Sequence, residues 1–234
     1  MNAGTDSTTD RPLIRAYLAA EAVLFAAVKA AEFASAGVAL NVLRYAAIAL
    51  NALVAAYCCL KYGKEMTGRD RLIPAGLFLT ALADVFLTLL PTDRFYPEGL
   101  VCFCAVEAVY AAYLGVGRGT VLLRAALFAS AAAALGAAGE LGLSSVLGAL
   151  NMAIISGNVI SAWIPENRNA PLLFKAGITL FFGCDVSLMM RILTAGAVSG
   201  VFGALVWTFY IPGQVLITLS CAGPLSGSQR VPPR

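Results

Sequence analysis

The stretch LIPAGLFLTALADVFLTLL, from Leu72 to Leu90, carries one charged residue, Asp84, in an otherwise apolar run. A helix needs ~20 mostly apolar residues to cross a bilayer, whereas a tilted barrel strand needs about 9–11, so its length and Ala/Leu richness predict a membrane helix. Seven further runs of the same kind lie between charged or Gly/Pro punctuation. Together they give eight expected spans: Leu13–Ser35, Val38–Leu60, Leu72–Leu90, Gly99–Val116, Thr120–Ala138, Leu143–Ile164, Pro171–Leu193 and Gly200–Cys221. Eight spans consume ~160 residues and leave about 70 for loops.

Composition agrees. Of 234 residues 60% are hydrophobic and 12% charged, with a mean hydropathy of +0.82. A soluble domain holds about 45–50% apolar and roughly 25% charged residues, so this chain lacks the polar atoms to face water. The expected fold is all-α and polytopic: a membrane domain over 13–221, with disordered Thr/Ser/Pro-rich tails at 1–12 and 222–234. Glu21, Lys29 and Glu32 interrupt the first run, which therefore does not read as a signal peptide.

The chain has no histidine. That excludes Ser-His-Asp and Cys-His triads and any His-based zinc site. Cys58, Cys59, Cys102, Cys104, Cys184 and Cys221 fall inside apolar runs without CxxC spacing, and read as packing residues. No metal or cofactor is expected. A net charge of +3 does not point to nucleic acid.

Basic residues set the orientation. Arg11, Arg15, Lys61, Lys64, Arg69, Arg71, Arg118, Arg124, Arg168, Lys175, Arg230 and Arg234 fall on one side of the expected topology. Arg94, Arg191 and Arg44 fall on the other. The positive-inside rule then puts both termini in the cytoplasm of a cell-membrane protein.

Ionisable groups in the hydrocarbon layer cost at least ~2.5–3.5 kcal/mol each, so they mark function. Asp84, Glu107 and Asp185 stand out. At 1.5 Å per residue they lie ~18, ~14 and ~21 Å from the cytoplasmic ends of their helices, which predicts a shared buried cavity. Thr80, Asp84 and Thr88 form a polar stripe. Cys104, Glu107 and Tyr110 align on another helix, and Trp207, Tyr210 and Gln214 share a face of the last. Pro212 frees the carbonyl of Thr208 and points to a kink there. Asn41, Arg44 and Asn51 read as one face of the second helix. Asn41, Asn51, Asn151 and Asn158 read as interhelical glue. Glu21, Lys29 and Glu32 share a side; Lys29 and Glu32 read first as an ion pair, with Lys29 kept as a cavity candidate. Ala83-Asp84-Val85-Phe86-Leu87 echoes Cys184-Asp185-Val186-Ser187-Leu188, which suggests a duplicated four-helix unit with its two aspartates opposed.

At these residues the chain resembles the YhhN-like lysoplasmalogenases. That family reads approximately GLxFSxxGDxxL, then FxxxHxxY, then LFxxSD, then YYxxxQxLI. Here stand Gly76-Leu77-Phe78 through Thr80, Asp84 and Leu87; Phe103, Glu107 and Tyr110; Leu180-Phe181 and Cys184-Asp185; and Phe209-Tyr210, Gln214 and Leu216-Ile217. Ala83, Cys184, Phe209 and Glu107 depart from the pattern, Glu107 by replacing a histidine. The resemblance implies eight helices and hydrolysis of the vinyl-ether bond of lysoplasmalogens to a fatty aldehyde and a glycerophospho-base.

Two buried carboxyls suit that chemistry, since one acid must protonate the double bond while an ionised partner steadies the cation and activates water. Asp84 and Asp185 are the expected pair, lined by Glu107, Tyr110, Thr80, Tyr210, Gln214 and Lys29. The expected partner is a lysophospholipid entering from the bilayer, its headgroup near the cytoplasmic face. Arg69, Arg71 and Lys175 could meet its phosphate there, although they read more readily as topology-setting charge. A proton-coupled transporter or flippase and an inactive relative remain rival readings. An intramembrane aspartyl protease does not fit, because neither Leu82-Ala83-Asp84 nor Gly183-Cys184-Asp185 has that class's motif.

Overall fold

The computed structural model describes residues 11–34, 37–115, 117–167 and 170–221. Eight long helices account for most of them: α1 (Arg11–Phe33), α2 (Val38–Tyr62), α3 (Leu72–Asp84), α4 (Thr92–Leu114), α5 (Arg118–Ala138), α6 (Leu143–Trp163), α7 (Leu172–Leu193) and α8 (Gly196–Cys221). Seven are long and apolar enough to cross a membrane, α3 together with the turn that follows it. The protein is a multi-pass membrane protein. The exception is α1, whose Arg15, Glu21, Lys29 and Glu32 dilute its hydropathy. Large apolar side chains such as Leu60 and Val38 are among the most exposed, as a lipid-facing surface requires.

Boundaries differ from the sequence reading where punctuation misled it. The stretch from Thr92 to Glu98 is helical, with Pro97 inside α4; a proline in the second turn removes only one backbone bond. Arg11 and Pro12, read as tail, open α1. The rest of both tails lies outside the described residues. α3 ends at Asp84 and gives way to a π-helical turn, Val85–Leu89, closed by the Leu90 amide donating to the Val85 carbonyl at 3.0 Å. α8 runs through Pro212 without a break.

Each helix packs on its chain neighbour, α1 to α4 in one run and α5 to α8 in another. The two runs are joined by α4 on α6 and by α8 on α1, α2 and α3. The α7–α8 pair is the most extensive. A Cβ on Gly177 would lie 2.8 Å from the Gly213 carbonyl oxygen and 3.0 Å from the Ile217 nitrogen, so small residues bring these backbones together, as lipid-embedded helices require. α5 buries none of its described residues, and its substantial packing is on α6.

We call the end where α1 begins and α8 finishes the near end, and the opposite end the far end. Between α4, α7 and α8 the interior is aromatic: Phe103–Phe181, Phe181–Tyr210 and Tyr110–Phe174 have centroids 5.7, 5.4 and 5.5 Å apart. Gly177→Ala meets backbone that cannot yield, so it should cost about 1–3 kcal/mol. A fall of several degrees in the thermal midpoint in detergent is expected, against none for Gly200→Ala, where a Cβ meets open space.

Candidate functional site

The π-helical turn follows directly on Asp84, and such turns cluster at functional sites. Asp84 is buried, as are Thr80 and Thr88 of its stripe. Its Oδ2 accepts a very short hydrogen bond from the Tyr210 hydroxyl on α8, and Thr88 hydrogen-bonds the same carboxyl. Tyr210 is fixed by three rings: Trp207 edge-on at 5.2 Å, Phe181 at 5.4 Å and Phe103 at 6.4 Å.

Asp185 lies on α7 and is half-buried. Its Oδ2 accepts from Asn151 Nδ2 of α6 at 2.8 Å. Each aspartate therefore has its own donor. α3 and α7 have no substantial packing of their own, since α8 packs on both. The two acids nonetheless bear on common neighbours: both act electrostatically on the Tyr210 hydroxyl and on the Cys184 thiol. Asp185 also bears on Glu107, Cys104 and Tyr96.

Glu107 is fully buried, but its hydrogen bonds belong to a different set. Asn158 Nδ2 donates to its Oε2 at 2.7 Å and to its carbonyl at 2.8 Å, and Arg124 Nη2 donates to Asn158 Oδ1 at 2.7 Å. Gly157 lets the arginine through: a Cβ there would sit 2.5 Å from Arg124 Cγ. Arg124, read from sequence as topology-setting charge, thus reaches inward from α5.

Tyr110 is fully buried beside Thr80 and Gly76. Gln214 is buried one turn from Tyr210 with neither amide atom hydrogen-bonded, and Asn151 Oδ1 and Glu107 Oε1 are likewise unpartnered. Buried atoms of this kind bind water or a polar ligand.

Glu21, placed from sequence with Lys29 and Glu32, parts from them: Asn51 Nδ2 donates to its Oε1 at 2.9 Å, while Tyr17 and Thr218 donate to Asn51 Oδ1 at 2.6 and 2.7 Å. Asn41 is exposed, away from Asn51. Lys29 lies at the far end, donating to Glu32 at 2.9 Å and to the Ala204 carbonyl at 2.7 Å. Arg44 joins this ion pair instead of reaching outward, its Nη2 2.9 Å from Glu32 Oε1 and its guanidinium 4.6 Å above the Trp207 ring.

At the near end, Arg69 donates to the Tyr113 carbonyl and to Asn167 Oδ1, and Arg71 to the Gly63 carbonyl. These bonds tie connections together. Lys175 lies over the Trp163 ring at 5.8 Å.

Fold and site together define a multi-pass helical membrane protein with several carboxyls held inside its bundle. A family model, the YhhN family, matches residues 40–221, and the chain belongs to that family. No curated protein and no solved structure matches it significantly.

Asn158→Ala leaves a buried carboxyl and a guanidinium without their shared partner, a loss of about 1.5–3 kcal/mol for hydrogen bonds to charged groups. We expect a fall in the thermal midpoint larger than that of Asn41→Ala, read by the same unfolding assay.

Proposed function

We propose that the protein hydrolyses the vinyl-ether bond of lysoplasmalogen-type lysophospholipids, with Asp84 and Asp185 as its acid and base. Family membership supports the class of reaction. The observation that carries the chemistry is a pair of carboxyls on separate helices inside the bundle, each held by its own hydrogen-bond donor.

Asp185 gives its proton to the β-carbon of the C=C bond, whose π pair forms the new C–H bond, and the positive charge left on the α-carbon is shared with the ether oxygen as an oxocarbenium ion. Asp84, the more fully hydrogen-bonded carboxylate because Tyr210 and Thr88 both donate to it, steadies that cation and takes a proton from the attacking water. As the hemiacetal collapses, Asp84 returns its proton to the glyceryl oxygen while the C–O bond breaks, and Asp185 takes the hydroxyl proton, so both carboxyls regain their starting states. Aldehyde and glycerophospho-base leave, and no oxidant, reductant or metal enters the balance.

The wider reading follows from the same arrangement. α1 serves as an eighth span because its charges turn inward: Glu21 is held by Asn51, and Lys29 and Glu32 are gathered with Arg44. The basic connections at the near end support a topology in the cell membrane with both termini in the cytoplasm.

The two four-helix runs are a duplication. One interval of sequence separates Asn51 from Asn158, Phe103 from Tyr210 and Glu107 from Gln214, and a slightly shorter one separates Gly76 from Gly177 and Asp84 from Asp185. The packing follows suit, since α4 on α6 becomes α8 on α2 when each label advances by one repeat. Phe103 takes the place of Tyr210 in the first repeat, so Asp185 has no matching phenol and the two aspartates diverge in role.

Purified protein should release aldehyde from lysoplasmalogen and none from its saturated-ether analogue. Asp84→Asn and Asp185→Asn should each lower kcat by about 10²–10⁴-fold, and Tyr210→Phe by a smaller factor, with unchanged folding. Turnover retained in either Asn variant rejects the pair; proton-dependent uptake into vesicles without product favours a transporter.

A further inference from the structure

We propose that Lys29, Arg44 and Arg191, gathered at the far end of the bundle, form the subsite that holds the phosphodiester of the lysophospholipid, so that the substrate is taken from the far-end leaflet. This rests on the hydrolase reading above and moves the phosphate away from Arg69, Arg71 and Lys175.

The cluster is built along one side of α8. Arg191 lies flat against Gly203, its Cδ 3.6 Å from where a Cβ would be. Lys29 donates to the carbonyl of the next residue, Ala204. One turn on, Trp207 carries the Arg44 guanidinium on its face and Tyr210 against its edge. Tyr210 in turn holds Asp84. A continuous track therefore runs from the cations to the carboxyl.

Charge is unbalanced there. Lys29 and Arg44 both pair with Glu32, one to each of its oxygens. Arg191 lies within electrostatic reach of Arg44 and adds a third positive charge, so three cations share one carboxylate among the described residues. Arg44 Nε is buried without a hydrogen-bond partner. A partly buried guanidinium crowded by two further cations calls for an anion, and a phosphodiester offers a guanidinium two acceptors at once.

The spacing fits one molecule. From Ala204 to Tyr210 on α8, and from Arg191 back to Asp185 on α7, the rise is about 9 Å. Seven bonds separate the phosphorus of a lysoplasmalogen from the carbon to be protonated, about 8 Å when extended. From the near end the same molecule falls short: Asp84 lies about 18 Å along α3 and Asp185 about 20 Å along α7. On that side Phe181, Phe103, Phe174 and Tyr110 also fill the interior.

The test reads binding without turnover. The protein has two tryptophans, so in a Trp163→Phe background Trp207 reports alone. A saturated 1-alkyl lysophospholipid, which cannot be hydrolysed, should change its emission saturably. Arg44→Gln and Arg191→Gln should each weaken that binding about tenfold or more, as loss of a charged hydrogen bond does. The phosphate-free 1-alkylglycerol should bind both variants and the parent alike, and Lys175→Gln should leave both ligands unaffected.

Arg191 is exposed and makes no ion pair among the described residues, so its variant stays informative if Arg44→Gln misfolds. Unchanged affinity in Arg191→Gln, an equal loss for the phosphate-free ligand, or a loss confined to Lys175→Gln overturns the subsite. Intact phosphate-dependent binding without aldehyde release from lysoplasmalogen would instead overturn the hydrolase reading and leave the subsite standing.

Discussion

A carboxyl inside a lipid-embedded bundle has no bulk water to satisfy it, so neighbouring helices must bring its donors. In this protein that constraint falls on α8. Its glycine-lined contact with α7 lets the two backbones approach within van der Waals distance, and Tyr210, one turn before Gly213 on much the same side of the helix, packs on Phe181 of α7 and gives its hydroxyl to Asp84 of α3. A larger residue at Gly177 or Gly213 would move α8 bodily and take the phenol from the carboxyl. Close packing and polar satisfaction on this side of α8 are thus one structural fact.

What the sequence made legible follows from contrast. Asp84 and Asp185 stand out because an ionisable group in an apolar run is costly, and Tyr210 because it repeats with Trp207 and Gln214 at helical spacing. Asn151 offered no such contrast. An asparagine in a membrane helix is compatible with simple interhelical glue, and only the approach of α6 to α7 turns it into the donor for Asp185. Arg124 was hidden differently: near a helix end it reads as topology, and the groove at Gly157 that admits it belongs to another helix. Glu21 lies on the same angular side of α1 as Lys29 but about 12 Å along the axis from it. Angular periodicity alone cannot see that separation. The π-helical turn after Asp84 is a change of backbone register within uniformly apolar sequence, and no side-chain pattern announces it.

The proposed duplication accounts for both what the halves share and what they do not. Repeating a four-helix unit puts two aspartates at comparable depth without separate adjustment of each. Divergence at paired positions then gives them different surroundings: Tyr210 against Phe103, Gln214 against Glu107, Arg124 against Tyr17. Asn51 and Asn158 keep the same structural task, each bridging three helices, but one gathers Tyr17, Glu21 and Thr218 and the other Arg124 and Glu107. A symmetric frame with asymmetric donors is a direct way to make one carboxyl an acid and the other a base.

Depth ties the proposed chemistry to the proposed substrate class. In a lysophospholipid the bond next to glycerol lies just beneath the headgroup, not at the bilayer centre, so an enzyme acting there needs its acids nearer one surface. Asp185 lies about 12 Å from the far end of α7 and about 20 Å from its near end. The interior on the near side is closed by Phe181, Phe174 and Tyr110, while the far side leads through Trp207 to a cluster of cations. A transporter needs a path to both surfaces from its midplane carboxyls. A bundle packed solid with aromatic side chains on one side of its acids is better suited to a molecule that enters and leaves by the same leaflet.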